Sequence, residues 1–406
     1  MRVVHERCCG LDVHKKTVVG CCVTPEGRET RTFGTMTAQL LLLADWLAAN
    51  DVEAVAMEST GVYCKPLYNL LEGRSFELLL ANAKHVKAVP GRKTDVKDAE
   101  WLADLLRHGL VRGSYVPDRA QRELRELVRY WRSVIEQRAQ VVLRIQKMLE
   151  GANVKLGDVA TDVMGKSGRA MLDAMAAGPT EPAVLAAMAQ GKMKPKQSQL
   201  EAALQGSFGQ HQRLLLSSQL RLVDALEAEI QQLSQAIAEG THPFETALEQ
   251  IDGIPGVGRR TAELIVAEVG VDMMRFPSAG HLASWAKLCP GNNESAGKRL
   301  SGRTGHGNPW LRSGLVEAAQ AAARSRDTYL AAQYHRLAAR RGHKRAIVAV
   351  AHTILTIVYH LLRDGVVYRD LGANYFDQHD RDVVARRAIH RLEKLGYKVT
   401  VEAPAA

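Results

Sequence analysis

Four acidic residues near the start of the chain have the side-chain type that hard divalent cations bind. Asp12 lies in "GLDVHKK", Glu58 lies in "AMESTG", and the other two lie three residues apart in "KTDVKDAEWLADLL", at Asp95 and Asp98. Carboxylates gathered in one place repel each other and take up protons, and Mg2+ relieves that repulsion through its oxygen ligands. Two such ions, about 3.5–4 Å apart, would polarise a scissile phosphate and stabilise its entering and leaving oxygens. The residue types therefore predict a magnesium-dependent phosphoryl-transfer site.

Each carboxylate also has a simpler interpretation. Asp95 and Asp98 can be first-turn acids that the helix dipole favours, and Glu58 can be a surface acid at a strand end. Asp12 is the hardest to explain in this way, because a buried carboxylate without a partner is costly. Helix periodicity places Asp95 and Asp98 on one face, about 60° apart. Two more acids of the same segment fall away from that face: Glu100 and Asp104.

The segments around these acids alternate between strand and helix patterns and predict an α/β domain over residues 1–115. Three β-branched segments, "VVHERCCGLDV", "TVVGCCVT" and "TRTFGT", are typical of strands joined by tight turns. Helix and strand patterns then alternate as far as "KTDVKDAEWLADLL". The order β-β-β-α-β-α-β-α predicts an RNase H-like sheet, with three hairpin strands followed by crossovers. In the loop before the last helix, Arg92 and Lys93 are candidate phosphate contacts.

Two long amphipathic segments follow, over residues 119–150 and 214–238. Apolar residues recur every seven positions in both, and a helix-prone insert separates them. Over residues 116–240 this pattern predicts either an antiparallel helix pair or a dimerising coiled coil. The first segment carries more arginines than acids, so Arg129 and Arg132 are candidate phosphate contacts. Pairs with glutamates four positions away would also explain these arginines.

A third, mainly helical domain is predicted over residues 241–375, with a helical tail at 376–406. It opens with "IDGIPGVGRRTAELIVAEVG", two helical segments around a tight turn, which is typical of a helix-hairpin-helix. Glycines in such a turn let backbone amides approach a phosphate closely, and adjacent arginines assist. A plain helical corner is the alternative. The candidate contacts are Gly256, Gly258, Arg259 and Arg260.

Downstream, a basic, glycine-rich loop carries serines in "CPGNNESAGKRLSGRTGHGNP". Serine is a weak nucleophile unless a neighbouring base or a metal-polarised phosphate activates it. Nearby cations would stabilise a pentavalent phosphate, and they are Lys298, Arg299 and Arg303. Taken alone, a serine in such a loop is usually a turn residue. A further basic cluster within residues 338–355 can be either a helix cap or a phosphate contact.

The composition of the chain favours a polyanionic partner. Its 406 residues carry a formal charge of +10, and the pI is near 9.3, which fits nucleic acid. The six cysteines have no zinc spacing and fit a reduced, cytoplasmic protein. The N-terminal segment lacks the apolar stretch of a signal peptide. Residues 346–362 are apolar, but His352 and His360 interrupt them, so a buried helix is predicted rather than a membrane span.

Three of these segments resemble one transposase family. "GLDVHKKT", "AMESTGVY" and "KTDVKDAEWLADLL" are similar to the three blocks of the RuvC-like domain in the insertion-sequence "one-ten" family, whose relatives include the Piv DNA invertase. In that family a D, E, D, D set binds the catalytic metal. By matching blocks, the resemblance implies the same role for Asp12, Glu58, Asp95 and Asp98. The similarity extends into the C-terminal domain and covers most of the chain.

The resemblance also implies a nucleophile. The second conserved block of the family carries a serine that attacks DNA and holds it as a covalent phosphoserine, and the matching residue here is Ser295 in "ESAGK". The family commonly has a serine pair at this point, whereas the first position here is Glu294, which changes the local charge. Ser301 in "RLSGR" is the alternative nucleophile.

The function implied by the resemblance is that of a DNA transposase or recombinase that uses Mg2+ and a serine. Its expected partners are donor and target DNA, a structured noncoding bridge RNA as guide, and further copies of the chain in a dimer or tetramer with composite sites. Two other functions stay open. One is an RNase H-fold, junction-resolving nuclease that hydrolyses DNA without a serine. The other is a non-catalytic nucleic-acid-binding protein.

Overall fold

The computed structural model of the chain describes residues 2–59, 61–81, 98–291, 293–295, 298–302, 304–305, 307–379 and 381–400. The chain forms two compact units, Met1–Arg119 and Ala120–Ala406. The predicted domain boundaries, after residues 115, 240 and 375, stay predictions.

The first unit is built on a mixed, five-stranded sheet. Its elements are, in chain order, β1 (Cys8–Val13), β2 (Thr17–Thr24), β3 (Gly27–Gly34), α1 (Thr37–Ala49), β4 (Ala54–Glu58), α2 (Cys64–Leu71), β5 (Glu77–Ala81) and α3 (Asp98–Arg107). The strands lie in the order β3-β2-β1-β4-β5. The first three are antiparallel neighbours, and β4 runs parallel to both β1 and β5. The predicted RNase H-like sheet is confirmed.

Side chains of β1 alternate between the two faces of this sheet. Cys9, Leu11 and Val13 pack in a core that includes residues of α1 and α2, whereas Cys8 packs with residues of α3. Because helices cover both faces of β1, its residues other than Asp12 are buried. Burial raises the pKa of the Cys8 thiol to about 12. It is a free, buried cysteine and acts as a small apolar residue.

The second unit opens with two long helices and a set of short helices between them. They are α4 (Arg119–Gly151), α5 (Leu156–Val159), α6 (Lys166–Ala177), α7 (Pro182–Ala187), α8 (Gln197–Ala203) and α9 (Gln210–Thr241). On α4, Trp131 donates from Nε1 to Ser234 Oγ at 3.0 Å, and Arg138 pairs with Glu227 at 2.6 Å. The later residue of α4 contacts the earlier residue of α9, so the two helices run in opposite directions. Of the two predicted arrangements, the structure therefore shows the antiparallel pair within one chain.

Two clusters of buried residues complete this part of the unit. At one end of the pair, Met171 and Leu172 of α6 pack with Ile145 of α4 and Leu216 of α9. At the other end, the pair packs against the C-terminal region through Leu124, Val128, Ile237, Leu264 and Ala267. The long helices therefore have an apolar partner along both halves, which explains why their heptad pattern is so regular.

The C-terminal region is mainly helical. After α9 it contains α10 (Glu245–Asp252), α11 (Arg259–Val269), α12 (Ala279–Trp285), β6 (Asn293–Ser295), β7 (Lys298–Ser301), α13 (Pro309–Ala322), α14 (Tyr329–Arg341), α15 (His343–Asp364), α16 (Tyr375–His379) and α17 (Arg381–Lys394). The helices α10 and α11 flank the predicted Pro-Gly-Val-Gly turn. The strands β6 and β7 pair as an antiparallel hairpin, where the sequence predicts a loop.

The core of the C-terminal region is centred on α15. Val350, Ile354 and Val358 are fully buried, and the Tyr359 hydroxyl donates to the carbonyl oxygen of Phe276 at 3.1 Å. By length and composition alone α15 is apolar enough to cross a membrane, but 50% of its most apolar window is buried inside the unit. Its buried side chains pack with those of α10 to α13. This packing matches the buried helix that the sequence predicts.

Candidate functional site

Two of the predicted carboxylates come from neighbouring parallel strands. Strands β1 and β4 pair in parallel, and the last pair in their register is Leu11 with Met57. Asp12 follows Leu11 on β1, and Glu58 follows Met57 on β4. Because parallel strands end at the same edge of a sheet, Asp12 and Glu58 lie side by side at the carboxyl edge.

Strand alternation places both carboxylates on the same face of the sheet. Successive side chains on a strand point to opposite faces, so Gly10 and Asp12 share one face, as do Ala56 and Glu58. Ala56 packs in the cluster that includes α3. Asp12 and Glu58 therefore point to the face that α3 covers.

The helix α3 lies directly on β1. A Cβ atom placed on Gly10 would overlap the carbonyl oxygen of Ala99 and lie 2.5 Å from the amide nitrogen of Ala103. Only glycine allows this approach. At the other end of the helix, the Val4 amide donates to the Arg107 carbonyl oxygen at 2.8 Å. Helix and strand therefore run in opposite directions, and α3 begins beside the edge where β1 ends.

Asp98 is the first residue of α3 and belongs to this edge. It precedes Ala99, whose carbonyl oxygen abuts Gly10 two residues before Asp12. Three of the four predicted carboxylates thus come from three elements that converge on one edge. Asp95, Arg92 and Lys93 lie outside the described residues.

The immediate surroundings of these carboxylates differ. His14 Nε2 lies 2.9 Å from Asp12 Oδ2, and the Asp12 side chain is 17% exposed. Within the part of the chain that the structure describes, the Glu58 side chain makes no hydrogen bond or ion pair. The same part contains no group of three or more His, Cys, Asp or Glu side chains close enough to hold an ion. The oxygen donors and their shared edge nevertheless fit Mg2+ by ligand chemistry.

The two other acids that the sequence places on α3, Glu100 and Asp104, both interact with one arginine. Arg28, on β3, pairs with Asp104, and its Nη1 lies 3.6 Å from Glu100 Oε2. Both acids therefore interact on the side of the helix that faces β3. This agrees with the helix periodicity, which separates them from Asp98.

The predicted nucleophile lies in the hairpin of the second unit. Ser295 is the last residue of β6 and pairs with Lys298, the first residue of β7. In the backbone register of this hairpin, Glu294 lies opposite Arg299, and Asn293 lies opposite Ser301 across a register shift. Lys298 is exposed. Arg303 lies outside the described residues.

The arginines predicted to contact phosphate on α4 have carboxylate partners. Arg129 binds Glu268 with both branches of its guanidinium, Nε to Oε1 at 2.6 Å and Nη2 to Oε2 at 2.7 Å. Arg132 pairs with Glu317, and its Nη2 donates to Ser313 Oγ at 2.9 Å. Each of these guanidinium groups is already bound within the protein.

The arginines of the helix-hairpin-helix are bound in a similar way. Arg259 donates from Nη2 to Glu245 Oε2 at 2.7 Å, which raises the pKa of Arg259 and lowers that of Glu245. Arg260 donates from Nη1 to Glu263 Oε2 at 2.8 Å, and its guanidinium lies over the Trp131 ring at 5.1 Å. These contacts hold α11 against α10 and α4.

The two predicted glycines of this turn have different roles. Gly256 has φ +85°, and a Cβ there would overlap the backbone of Ala318 and Ala322 on α13. Its freedom therefore serves packing within the protein. Gly258, immediately before α11, is exposed, and a Cβ there would meet nothing within 4 Å, so this part of the turn is open to solvent.

A second basic surface lies where α14 meets α15. We call it the basic corner, and it consists of Arg340, Arg341, His343, Lys344 and Arg345, all of which are exposed. Gly342, at φ +79°, turns the chain between the helices. The His343 ring accepts or donates a hydrogen bond with Tyr334 Oη at 2.9 Å. Among the described residues, the basic corner makes no ion pair with a carboxylate.

Three residues of these sites were missed from the sequence. Gly10 lies two positions before Asp12, and glycine inside a strand signals a close approach by another backbone. Asn308 precedes Pro309, which is the pattern of a helix N-cap. Glu268 interrupts the apolar run "ELIVAEVG", and a charged residue in such a run signals a buried ion pair.

Comparisons with known proteins identify the family of the chain. A family model for the DEDD domain of IS110 elements, described as "Transposase", matches residues 9–154. A second model, described as "Transposase IS116/IS110/IS902 family", matches residues 248–336. The "Insertion element IS110 uncharacterized 43.6 kDa protein" of Streptomyces coelicolor (strain ATCC BAA-471 / A3(2) / M145) is 35% identical over 147 residues. That alignment covers 36% of this chain and 34% of the relative, about a third of its length. The two models together cover more than half of the chain, which therefore belongs to the IS110 family of transposases, a family of enzymes.

Proposed function

We propose that this chain cuts and rejoins DNA in transposition, with the edge carboxylates of the first unit and a serine of the second. The observation that carries the proposal is the convergence of Asp12, Glu58 and Asp98 at one sheet edge. These carboxylates come from two parallel strands and the helix that packs along β1 in the opposite direction. A sheet that only needed to fold would gain nothing from gathering negative charge there.

The carboxylates have a defined task in this mechanism. Asp12, Glu58 and Asp98 would hold Mg2+, and Asp95 would complete the set if the resemblance to the family holds. When bound, Mg2+ supplies charge that polarises a phosphodiester and relieves the repulsion among the carboxylates. His14, beside Asp12, orients that carboxylate by its 2.9 Å contact.

Ser295 would then perform the exchange of bonds. Its Oγ attacks phosphorus and forms a serine–phosphate ester, while the bond from phosphorus to the leaving nucleotide oxygen breaks. The serine proton goes to a base, and the leaving oxygen takes up a proton. Attack by the hydroxyl of another strand reverses these steps and releases the serine. The number of phosphodiester bonds is conserved, so rejoining needs no external energy source.

Nucleic acid would be held by cations that lack partners within the protein. The basic corner meets this condition among the described residues, and the exposed turn at Gly258 would let a phosphate approach the backbone closely. Lys298, which pairs with Ser295 through the backbone, would stabilise the phosphate. A structured RNA as guide and a homo-oligomer that brings the required groups to one phosphate are further parts of the proposal, and they rest on the family resemblance.

Trapping of DNA on the protein tests the proposal. The protein is incubated with Mg2+, labelled DNA from the ends of its element, and the RNA transcribed from the flanking sequence, and adducts are resolved under denaturing conditions. We expect a covalent adduct in the wild type and in Ser301→Ala, and none in Ser295→Ala or Asp12→Asn.

Other outcomes would point to the alternatives. Cleaved DNA without an adduct, in the wild type and in Ser295→Ala alike, would identify a hydrolytic nuclease. Shifted but uncleaved DNA, unaffected by Asp12→Asn and Glu58→Gln, would identify a non-catalytic binding protein. An adduct that is lost in Ser301→Ala and retained in Ser295→Ala would move the nucleophile to Ser301.

A further inference from the structure

A buried carboxylate in the second unit lies close to the base of the β6–β7 hairpin, which carries Ser295 and which we call the serine hairpin. Glu268, on α11, is fully buried, and Arg129 binds both of its oxygens at 2.6 and 2.7 Å. Arg125 Nε lies 3.6 Å from Oε2. Asn308 donates to the same oxygen from Nδ2 at 2.5 Å. A buried charge is tolerated only when it is paired and hydrogen-bonded in this way.

Asn308 uses both ends of its amide. Its Oδ1 accepts hydrogen bonds from the backbone amides of Trp310 at 3.1 Å and Leu311 at 3.2 Å, which caps the N-terminus of α13. Its Nδ2 is bound to Glu268. The residue therefore fixes the start of α13 to α11, and through Arg129 to α4.

The segment that carries Ser295 begins and ends at neighbouring positions. A Cβ on Gly307 would overlap the carbonyl oxygen of Ala286 and lie 2.8 Å from Lys287 Cβ. Gly307, which precedes Asn308, thus contacts the end of α12, where the segment that contains β6 and β7 begins. The two ends of this segment therefore lie next to each other, and the bond between Glu268 and Asn308 attaches them to the helical core.

We propose that Glu268 and Asn308 are positioning residues for Ser295. They do not touch DNA, and they set the place and direction from which the β6–β7 hairpin leaves the helical core. The inference rests on the proposed function, because its kinetic consequence requires Ser295 to be the nucleophile. Attack on phosphorus needs a near-linear approach, and a displacement of about 1 Å costs roughly 100-fold in rate.

One substitution separates positioning from helix capping. Asn308→Asp keeps an oxygen that caps Trp310 and Leu311, since aspartate is also a good N-cap. It replaces the Nδ2 donor, however, with a second carboxylate oxygen against Glu268. We expect adduct formation to slow by about 10- to 100-fold at saturating DNA, with the DNA dissociation constant unchanged.

A second substitution in the same protein should restore the contact. In Asn308→Asp/Glu268→Gln, the new amide nitrogen can donate to the new carboxylate, so this hydrogen bond re-forms with its direction reversed. The amide oxygen keeps the bond from Arg129 Nε, and the bond from Arg129 Nη2 is lost. We expect the double variant to form the adduct about 3- to 10-fold faster than Asn308→Asp. The matched control is Thr328→Ala on α14, which removes an N-cap that accepts from the Ala331 amide at 3.3 Å. It should leave the rate of adduct formation unchanged.

Hydrogen–deuterium exchange gives a readout that needs no DNA. In Asn308→Asp, amides of β6 and β7 should exchange faster, while those of α15 keep their wild-type protection. The proposal is overturned if this variant forms the adduct at the wild-type rate, if its hairpin exchange is unchanged, or if the double variant is no faster than Asn308→Asp. A different result is that Ser295→Ala still forms the adduct while Asn308→Asp speeds amide exchange in β6 and β7. In that case the assignment of Ser295 as nucleophile fails, and the role of Glu268 and Asn308 in holding the hairpin is supported.

Discussion

The buried carboxylate of the second unit and the edge carboxylates of the first unit differ in how their charge is neutralised. Glu268 in the second unit is fully buried and is bound by two arginines and an asparagine. Asp12 and Glu58 in the first unit lie at a strand edge, where Asp12 has a histidine neighbour and Glu58 has no side-chain partner among the described residues. A carboxylate that the protein neutralises itself stabilises the fold. A carboxylate that it leaves without a fixed cation is available to bind one.

The same distinction separates the basic residues. Each of the four arginines predicted to contact phosphate on α4 and α11 binds a carboxylate of the second unit. The pairs of Arg129, Arg132 and Arg259 join α4, α10, α11 and α13 to one another, and that of Arg260 lies within α11. The basic corner has no such partners among the described residues. Net positive charge alone therefore does not locate a nucleic-acid surface, because much of it is used to hold helices together.

The largest expected effect is on stability, from the neutralised carboxylate. Glu268→Ala removes a fully buried carboxylate from its partners and leaves Arg129, whose side chain is 36% exposed, to solvent. Breaking a fully buried pair costs about 3–5 kcal/mol in the free energy of unfolding, and the exposure of Arg129 puts the expected loss at the lower end, about 3 kcal/mol. Chemical denaturation followed by circular dichroism measures this loss. A loss below about 1 kcal/mol would show that Glu268 is not a structural charge.

The next effect is on activity, from the edge carboxylates. Asp12→Asn and Glu58→Gln should each reduce adduct formation at least about 100-fold, because electrostatic stabilisation of the transferring phosphate is lost. Their free energy of unfolding should not fall, since each substitution removes repulsion at the edge. The same denaturation assay checks this. A variant that is both inactive and strongly destabilised would show that its carboxylate stabilises the fold, as Glu268 does.

How far the sequence predicts this molecule depends on the range of the interactions. The sheet is predicted well, because the β-branched composition of "TVVGCCVT" and the neighbouring segments is a local signal, and β2 spans that segment from Thr17 to Thr24. Asp12 and Glu58 are found for the same reason, since each is attached to a readable strand. Gly10 is missed because its role depends on α3, a helix that begins 88 positions later at Asp98.

The partners of the arginines could not be predicted. Arg129 and Glu268 are 139 positions apart, and Arg132 and Glu317 are 185 apart. A heptad pattern shows that a helix has an apolar seam, but it does not show which helix approaches its polar flank. The serine hairpin was expected to be a loop because its glycines and asparagines are typical of turns, whereas backbone pairing between β6 and β7 decides the conformation.

A smaller effect is expected at the basic corner. Lys344→Ala/Arg345→Ala should weaken DNA binding about 10-fold at moderate salt and reduce the salt dependence by about two ions, one per phosphate contact. Fluorescence anisotropy over a range of salt concentrations measures both. The matched control is Arg138→Ala, whose guanidinium is bound to Glu227 at 2.6 Å. Equal losses in the two proteins would remove the distinction between partnered and unpartnered cations.

The smallest effect is expected at an ion pair whose carboxylate reaches solvent. The side chain of Glu317 is 59% exposed, whereas that of its partner, Arg132, is 15% exposed and also donates to Ser313 Oγ. Solvent screens the Glu317 carboxylate, and exposed pairs contribute about 0–1 kcal/mol, so Glu317→Ala should shift the free energy of unfolding by less than about 1 kcal/mol. Denaturation beside Glu268→Ala makes the comparison direct. A loss as large as that of Glu268→Ala would show that burial does not decide the strength of these pairs.

Binding of a divalent cation tests the central claim most directly. Mn2+ can be titrated into the intact protein and its free fraction followed by electron paramagnetic resonance, with Mg2+ as competitor. We predict saturable binding in the wild type and in Glu317→Ala, and at least about 10-fold weaker binding in Asp12→Asn and Glu58→Gln, because each loses a charged oxygen ligand. Equal Mn2+ affinity in all four proteins would contradict the assignment of the sheet edge as the metal site.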